Sequence, residues 1–254
     1  MEIPRAVALA SPNPHQGPVA IVTGASSGIG RALALRLGAE GYRVGLIARR
    51  GDLLEVAVGL IVERGGRAAA AVADVGDRVA LHAAVAGLEA RLGPVEILVA
   101  NAGRGQTRRW DEVSADEFDR TLAVNLRAPF LLAQRTLPGM QERGFGRILF
   151  ISSLAAFTGG IIGPHYAASK AGLHGLTHHL ASRAAPYGVT VNTLAPALIT
   201  ETGMLPGDPA QLRQQVPVQR LGRPDEVADL ALAVLRNAYI TNQVISIDGG
   251  MHPR

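Results

Sequence analysis

The 254-residue sequence contains no cysteine, and its aromatic residues are few. Without cysteine the chain cannot form a disulfide, a thiolate metal site or a cysteine nucleophile. Long apolar runs are also missing, so no segment reaches the length that spans a bilayer. The N-terminal stretch lacks the basic start and long apolar core of a signal peptide. We therefore expect a cytoplasmic protein with no membrane partner, and we interpret residues 1–17 as a flexible extension.

Lysine is almost absent as well. Of the 25 basic residues, Lys170 is the only lysine and the other 24 are arginines. The arginines are scattered, whereas a nucleic-acid-binding protein is expected to cluster its basic residues and interleave them with aromatics. We therefore expect no nucleic-acid partner. Because the chain uses arginine at every other basic position, the single lysine indicates that position 170 needs a compact ammonium, which a planar guanidinium would not replace.

Short apolar stretches alternate along the chain with longer segments rich in alanine and leucine. Several of the short stretches are apolar at every position, which is typical of strands buried on both faces. We predict strands at 19–24, 43–48, 67–74, 96–101, 147–152, 189–195 and 244–249, with helices between them, one of which covers 115–141. This order predicts an α/β protein in which residues 18–254 form a single doubly wound (Rossmann) domain, with a seven-stranded, mainly parallel sheet and helices on both faces. Ligands are expected at the C-terminal ends of the strands.

A glycine-rich turn follows the first predicted strand and opens a helix. Gly24, Gly28 and Gly30 are spaced so that the turn is tight and backbone N–H groups can approach a pyrophosphate at the helix N-terminus. A bare tight turn would also use glycine, but the flanking strand and helix favour nucleotide binding.

The end of the second predicted strand distinguishes the two nicotinamide cofactors. An NAD site usually has an acidic residue there, which accepts a hydrogen bond from the ribose 2′-hydroxyl. This strand ends at Ala48 and is followed by Arg49 and Arg50, whose guanidinium groups suit a 2′-phosphate. We predict NADP, the alternative being that both arginines are ordinary surface charges.

Six motifs occur in an order and spacing that resemble the short-chain dehydrogenase/reductase family. They are TGASSGIG (23–30), NAG (101–103), the asparagine of VNL (Asn125), ISS (151–153), YAASK (166–170) and DGG (248–250). The resemblance runs from Pro18 onward and includes the 3-oxoacyl-acyl-carrier-protein reductases. It implies an NADP(H)-dependent oxidoreductase that interconverts a ketone and a secondary alcohol, and a 3-oxoacyl thioester is one substrate it suggests.

Tyr166 and Lys170 are four residues apart and would share one helix face. An ammonium beside the phenol would lower the pKa of the tyrosine, which could then exchange a proton with a substrate oxygen. The resemblance adds two residues to this catalytic pair. Ser153, thirteen residues before the tyrosine, would hold the substrate oxygen, and Asn125 would anchor a water that relays protons to Lys170.

The resemblance also implies a set of cofactor contacts spread over the ends of several strands. Asp74 would meet the adenine, and the lysine would bond the nicotinamide ribose. A threonine after the sixth strand holds the carboxamide in the family, and here Thr200 and Thr202 both remain open. The contacts expected are Gly24, Ser26, Ser27, Gly28, Ile29, Gly30, Arg49, Arg50, Asp74, Val75, Asn101, Ala102, Gly103, Tyr166, Lys170, Pro196 and the backbone of Ile199.

Other features leave alternatives open. Arg104, Arg108 and Arg109 follow the fourth predicted strand and are either a solvated face or an attraction for an anionic substrate or carrier. His174 and His178 have zinc-like spacing but no third ligand, so we expect no metal.

The family resemblance implies a homo-oligomer, either a dimer or a tetramer, acting on a small-molecule substrate. The competing interpretation is a dinucleotide-binding regulator or scaffold without turnover.

Overall fold

Seven strands form one sheet in a computed structural model that describes residues 17–205 and 207–252. The strands are β1 Val19–Thr23, β2 Arg43–Ala48, β3 Arg67–Val72, β4 Ile97–Ala100, β5 Gly146–Ile151, β6 Val189–Pro196 and β7 Val244–Ile247. Their order is β3-β2-β1-β4-β5-β6-β7, and every neighbouring pair is parallel. The predicted doubly wound fold is confirmed. The predicted N-terminal extension lies, apart from Gly17, outside the described residues.

Nine α-helices connect the strands within the described ranges. They are α1 Gly28–Ala39, α2 Gly51–Glu63, α3 Arg78–Leu92, α4 Ala115–Leu122, α5 Ala128–Glu142, α6 Ala155–Thr158, α7 Pro164–Ala184, α8 Pro209–Leu212 and α9 Pro224–Arg236. None of the helices described is long and apolar enough to cross a bilayer.

The stretch between β4 and β5 differs from the sequence prediction. A continuous helix was expected over 115–141, but a π-helical segment, Ala123–Arg127, separates α4 from α5. Such segments occur frequently at functional sites, and this one contains Asn125. The local sequence is apolar and suited to a helix, so its pattern gave no sign of the wider turn.

The core consists of two apolar layers, one on each face of the sheet. Leu33 of α1 and Leu232 of α9 pack in one layer, and Leu132 of α5 and Leu173 of α7 pack in the other. Every residue of β1, β5 and β6 is buried, because both of their faces are covered by helices. This explains why these strands show no alternation of apolar and polar residues.

The strand order places a crevice in the middle of the sheet. The chain runs outward from β1 to β3 and returns to β4 on the other side of β1. The connections that leave β1 and β4 therefore diverge, and the carboxyl ends of these strands border an opening of the kind in which doubly wound proteins bind ligands.

Candidate active site

The glycine turn after β1 is packed too closely for side chains. Gly24 and Gly28 have positive φ angles of 66° and 53°, which residues with a Cβ rarely adopt. A Cβ on Gly30 would collide with the carbonyl of Gly24 and the side-chain amide of Asn101. Gly30 therefore lets α1 approach the end of β4 and leaves the backbone of the turn facing the crevice.

Thr23, the last residue of β1, ties the turn to the start of the β4 connection. Its hydroxyl accepts hydrogen bonds from the backbone N–H groups of Asn101 and Ala102, at 3.1 and 3.0 Å. The Asn101 side chain returns a bond of 2.9 Å to the Thr23 carbonyl. Sequence reasoning missed Thr23, although it directly precedes the first glycine of the turn.

The two arginines after β2 point to different partners. The Arg50 guanidinium reaches across to the glycine turn and donates to the hydroxyls of Ser26 and Ser27, at 3.0 and 2.6 Å. Arg49 lies 3.9 Å from a carboxylate oxygen of Asp74, and its side chain is 78% exposed. This end of the crevice therefore carries one guanidinium held beside two serine hydroxyls and a second guanidinium that is largely exposed.

Most of the predicted cofactor residues line one continuous cleft at this end of the sheet. The predicted residues that line it are Gly24, Ser26, Ser27, Gly28, Ile29, Arg49, Arg50, Asp74, Val75, Asn101, Ala102 and Gly103, and the cleft also includes Ala48, Ala73, Arg104, Val124, Thr202 and Met204. A glycine turn at a helix N-terminus, an apolar wall and basic side chains fit a dinucleotide.

The remaining predicted contacts lie beneath or beside this cleft. Gly30 packs under the turn, and Tyr166 lines a neighbouring pocket. Pro196 is buried at the end of β6, where its carbonyl accepts from Leu154 N–H. The Ile199 carbonyl accepts from the Thr202 hydroxyl at 3.1 Å.

Of the two threonines left open, Thr202 lines the cleft. The Thr200 hydroxyl donates to the Gly222 carbonyl at 3.2 Å and belongs to the loop beneath.

Helix α7 presents Tyr166 and Lys170 on its buried face. The helix begins at Pro164, directly after Gly163, and Pro suits this first position because no N–H is needed there. The Lys170 ammonium donates to the Ile151 carbonyl at the end of β5, at 2.7 Å, and lies 5.8 Å from the centre of the Tyr166 ring. The predicted i, i+4 pair thus forms at the carboxyl end of the sheet.

Burial alters the protonation of both members of this pair. It raises the pKa of Tyr166 above its ordinary value. A hydrogen bond with Ser153 has the opposite effect on this pKa, but the effect is smaller than that of burial. The prediction of a lowered pKa is wrong for this structure, because removing the phenolate from water is the largest influence on the pKa of Tyr166. Burial also lowers the pKa of Lys170 to about 8. At neutral pH the site therefore holds a protonated phenol beside a charged ammonium.

The two serines after β5 have different surroundings. Ser153 lines the same pocket as Tyr166. Ser152 is buried instead, where its hydroxyl donates to the Lys170 carbonyl at 3.0 Å and lies 3.0 Å from His174 Nε2. The geometry therefore brings Ser153 to the tyrosine and uses Ser152 to join β5 to α7.

Asn125 is fully buried and makes three protein contacts. Its side chain accepts from the Arg104 N–H at 2.8 Å and donates to the Arg104 carbonyl and the Ser169 hydroxyl, both at 2.9 Å. A Cβ on Gly103 would lie 3.4 Å from the Lys170 ammonium and 3.6 Å from the Asn125 side-chain oxygen. The asparagine thus fixes the β4 connection above the lysine.

A second pocket, of about 300 Å³, opens beside Tyr166. Its polar side chains are few, and no charged side chain is found among the described residues that line it. It shares Met204 with the cofactor cleft. The lining residues are Ser153, Leu154, Ala155, Thr158, Gly160, Ile161, Ile162, Tyr166, Ala197, Leu198, Met204, Leu205, Gln215 and Met251.

The helical histidines take part in ordinary hydrogen bonds. His178 Nδ1 lies 2.6 Å from the side-chain oxygen of Asn242, and His174 lies beside Ser152. No cluster of three potential metal ligands occurs within 17–205 and 207–252.

The family model for short chain dehydrogenases matches residues 18–212. The chain belongs to this family. As a short-chain dehydrogenase it is an oxidoreductase, and the family binds NAD(P). The predicted resemblance is therefore confirmed over the region that contains the glycine turn, Asn125, Ser153, Tyr166 and Lys170.

Individual relatives match along nearly their whole length. The chain is 35% identical to the 3-oxoacyl-[acyl-carrier-protein] reductase FabG of Aquifex aeolicus over 93% of this chain and 98% of that protein. It is 36% identical to the acetoacetyl-CoA reductase of Shinella zoogloeoides, over 91% and 97%. A structure from Beutenbergia cavernae, described as a candidate NAD(P) dependent gluconate 5-dehydrogenase with NADP bound at low occupancy, superposes with a TM-score of 0.87 at 35% identity over 92% and 96%.

Proposed function

We propose that this short-chain dehydrogenase is an NADP(H)-dependent enzyme that interconverts a ketone and a secondary alcohol. The observation that carries the proposal is the position of Ser153 and Tyr166, which line an apolar pocket adjoining the dinucleotide cleft at Met204. A carbonyl carbon in that pocket would lie next to the cleft, with its oxygen near two hydroxyl groups.

A nicotinamide cofactor, when bound in the cleft, would supply the hydride, and residues of the chain bind the substrate oxygen and transfer the proton. Ser153 donates a hydrogen bond to the carbonyl oxygen and orients it. Tyr166 transfers its phenolic proton to that oxygen as it becomes an alkoxide, and its raised pKa keeps the proton available at neutral pH. Lys170 stabilises the phenolate that forms. In the opposite direction the phenolate takes the proton from an alcohol.

The surroundings of Arg50 support NADP as the cofactor. Its guanidinium lies beside the hydroxyls of Ser26 and Ser27, so a 2′-phosphate placed there would meet one fixed positive charge and two hydroxyl donors. Arg49, on the same cleft, adds a second charge. No acidic residue follows β2 directly, whereas an NAD site usually has one there.

The lining of the substrate pocket supports a neutral, apolar ketone. Leu154, Ile162, Leu198 and Met251 would contact the groups on either side of the carbonyl. A 3-oxoacyl thioester has this character around its ketone, and two relatives are named as reductases of such compounds. We therefore propose a 3-oxoacyl thioester as the substrate class.

An apolar groove formed by α4, the π-helical segment, α5 and α7 supports assembly as a homo-oligomer, a dimer or a tetramer. Leu122, Leu126, Phe130 and Leu176 line it, and Phe130 is 41% exposed. A second copy of the chain would cover this face. Phe130→Glu should therefore lower the mass measured by light scattering, while an unchanged mass would contradict the proposal. A cytoplasmic location stays a prediction from the sequence.

NADPH oxidation, followed by absorbance with a panel of 3-oxoacyl thioesters, cyclic ketones and small ketones, tests the proposal. We expect turnover with at least one thioester. Tight NADPH binding without turnover on any member would favour a regulator or scaffold instead.

A further inference from the structure

The connection after β4 forms one wall at the entrance of the substrate pocket. A Cβ on Gly105 would lie only 2.9 Å from the Tyr166 ring and 3.0 Å from Ile162, so the backbone of this connection touches both residues. Three residues further on, the Arg108 N–H donates to the Ile162 carbonyl at 2.9 Å. The segment 104–110 therefore leads outward from the catalytic tyrosine along the pocket.

The three arginines of this segment differ in their partners. Arg104 makes an ion pair in which one guanidinium nitrogen donates to both carboxylate oxygens of Glu117, at 3.0 and 3.1 Å. Arg109 also makes an ion pair, with Asp111, at 3.1 and 2.9 Å. The Arg108 guanidinium has only a 3.4 Å contact with the Thr107 carbonyl, and no carboxylate partner is found for it among the described residues. One of three neighbouring positive charges is thus left for an external anion.

Arg108 lies in a shallow groove that continues the substrate pocket. The groove and the pocket share Gly160 and Ile161. Trp110 also lines the groove and is 78% exposed, and Ile161 is half exposed. An exposed tryptophan beside an unpaired guanidinium combines a flat apolar surface with a positive charge. A ligand whose ketone lies at Tyr166 would pass over Ile161 before it reaches this pair.

We propose that Arg108 and Trp110 form a subsite for the phosphopantetheine arm of the thioester substrate. Trp110 packs against the arm, and Arg108 pairs with its phosphate. The inference rests on the proposed function, because it needs a 3-oxoacyl group at Tyr166. It assigns recognition of the carrier to two residues outside the catalytic set, whereas the pocket itself recognises the apolar acyl group.

Three acetoacetyl thioesters separate the contributions of the arm. The N-acetylcysteamine thioester has no phosphate, the coenzyme A thioester has phosphates, and the carrier-protein thioester has the phosphate within a protein. Arg108→Gln is compared with Arg109→Gln, which removes an equal charge from the same segment but one already paired with Asp111.

For Arg108→Gln we expect kcat/KM to fall about three- to tenfold with the coenzyme A thioester, mainly through KM, as for loss of one exposed charge-assisted contact. We expect no change with the N-acetylcysteamine thioester and little change with either substrate for Arg109→Gln. A similar loss with the carrier-protein thioester would identify phosphopantetheine itself as the recognised group, whereas a loss confined to coenzyme A would identify its nucleotide phosphates and contradict the assignment to the arm.

Two further results would overturn the subsite. One is an Arg108→Gln variant that keeps the parent kcat/KM for both phosphate-bearing thioesters, and the other is an equal loss for all three thioesters. Failure of the proposed function itself is distinct, because the parent enzyme would then oxidise NADPH with none of them. Trp110→Ala provides a second variant, for which we expect a higher KM for the two phosphopantetheine substrates and the parent value for the short one.

Discussion

Replacing Lys170 with methionine should stabilise the protein while it removes activity. The lysine is 3% exposed, and burial lowers its pKa from 10.5 to about 8. Keeping it charged at pH 7 therefore costs about 3 kcal/mol of folding free energy. Methionine fills a similar volume without the charge but leaves the buried Ile151 carbonyl without its 2.7 Å hydrogen bond, which costs about 2 kcal/mol. The net gain is about 1 kcal/mol, or about 3 °C in melting temperature.

The stability difference between the parent and the Lys170→Met variant should depend on pH. Between pH 8 and 10.5 the unfolded chain keeps the lysine proton and the folded chain loses it, so the stability of the parent rises with pH across that window. The advantage of Lys170→Met should therefore be constant below pH 8, vanish between pH 8 and 10.5, and become a disadvantage by the upper end of that range. Urea unfolding of both proteins without cofactor, at pH 7 and pH 10, measures the difference.

A methionine variant that is less stable than the parent at pH 7 would refute this reasoning. So would a stability difference that stays the same at pH 7 and pH 10, because the ammonium would then carry no burial penalty.

Three further predictions concern the cofactor and the catalytic set. Arg50→Ala should weaken NADPH binding about tenfold or more and leave NADH nearly unchanged in titration calorimetry, with a smaller effect for Arg49→Ala; an equal loss for both cofactors would contradict the 2′-phosphate assignment. Lys170→Arg keeps the charge, but its planar guanidinium does not fit the same geometry, so kcat should fall at least about 100-fold; a variant with parental kcat would disprove the need for an ammonium. Ser153→Ala should reduce kcat about 100-fold, whereas Ser152→Ala should mainly lower the urea midpoint, and the reverse pattern would show that the serines are assigned wrongly.

Local patterns in the sequence were sufficient for much of the site. The glycine turn lies between one strand and one helix, and the Tyr166–Lys170 spacing lies on one helix, so neighbouring residues determine both. The burial of β1, β5 and β6 likewise follows from runs of apolar residues.

The features that the sequence did not reveal depend on distant contacts. Arg49 and Arg50 are adjacent in the sequence, yet their side chains have different partners. Arg50 donates to the serines of the glycine turn, and Arg49 lies near Asp74. The pKa of Tyr166 is raised because the effect of burial exceeds that of the hydrogen bond with Ser153, and burial depends on how the connection after β4 packs over α7. The π-helical segment around Asn125 depends on the same packing, through bonds to Arg104 and Ser169.

The account depends most directly on the proton of Tyr166, and Tyr166→Phe removes it while keeping the ring. NADPH oxidation with a 3-oxoacyl thioester at saturating cofactor should fall about 100-fold or more in this variant, and the dissociation constant of NADPH should stay within about twofold because the ring still packs against Gly105. A phenylalanine variant that turns over as fast as the parent would contradict the proposed mechanism.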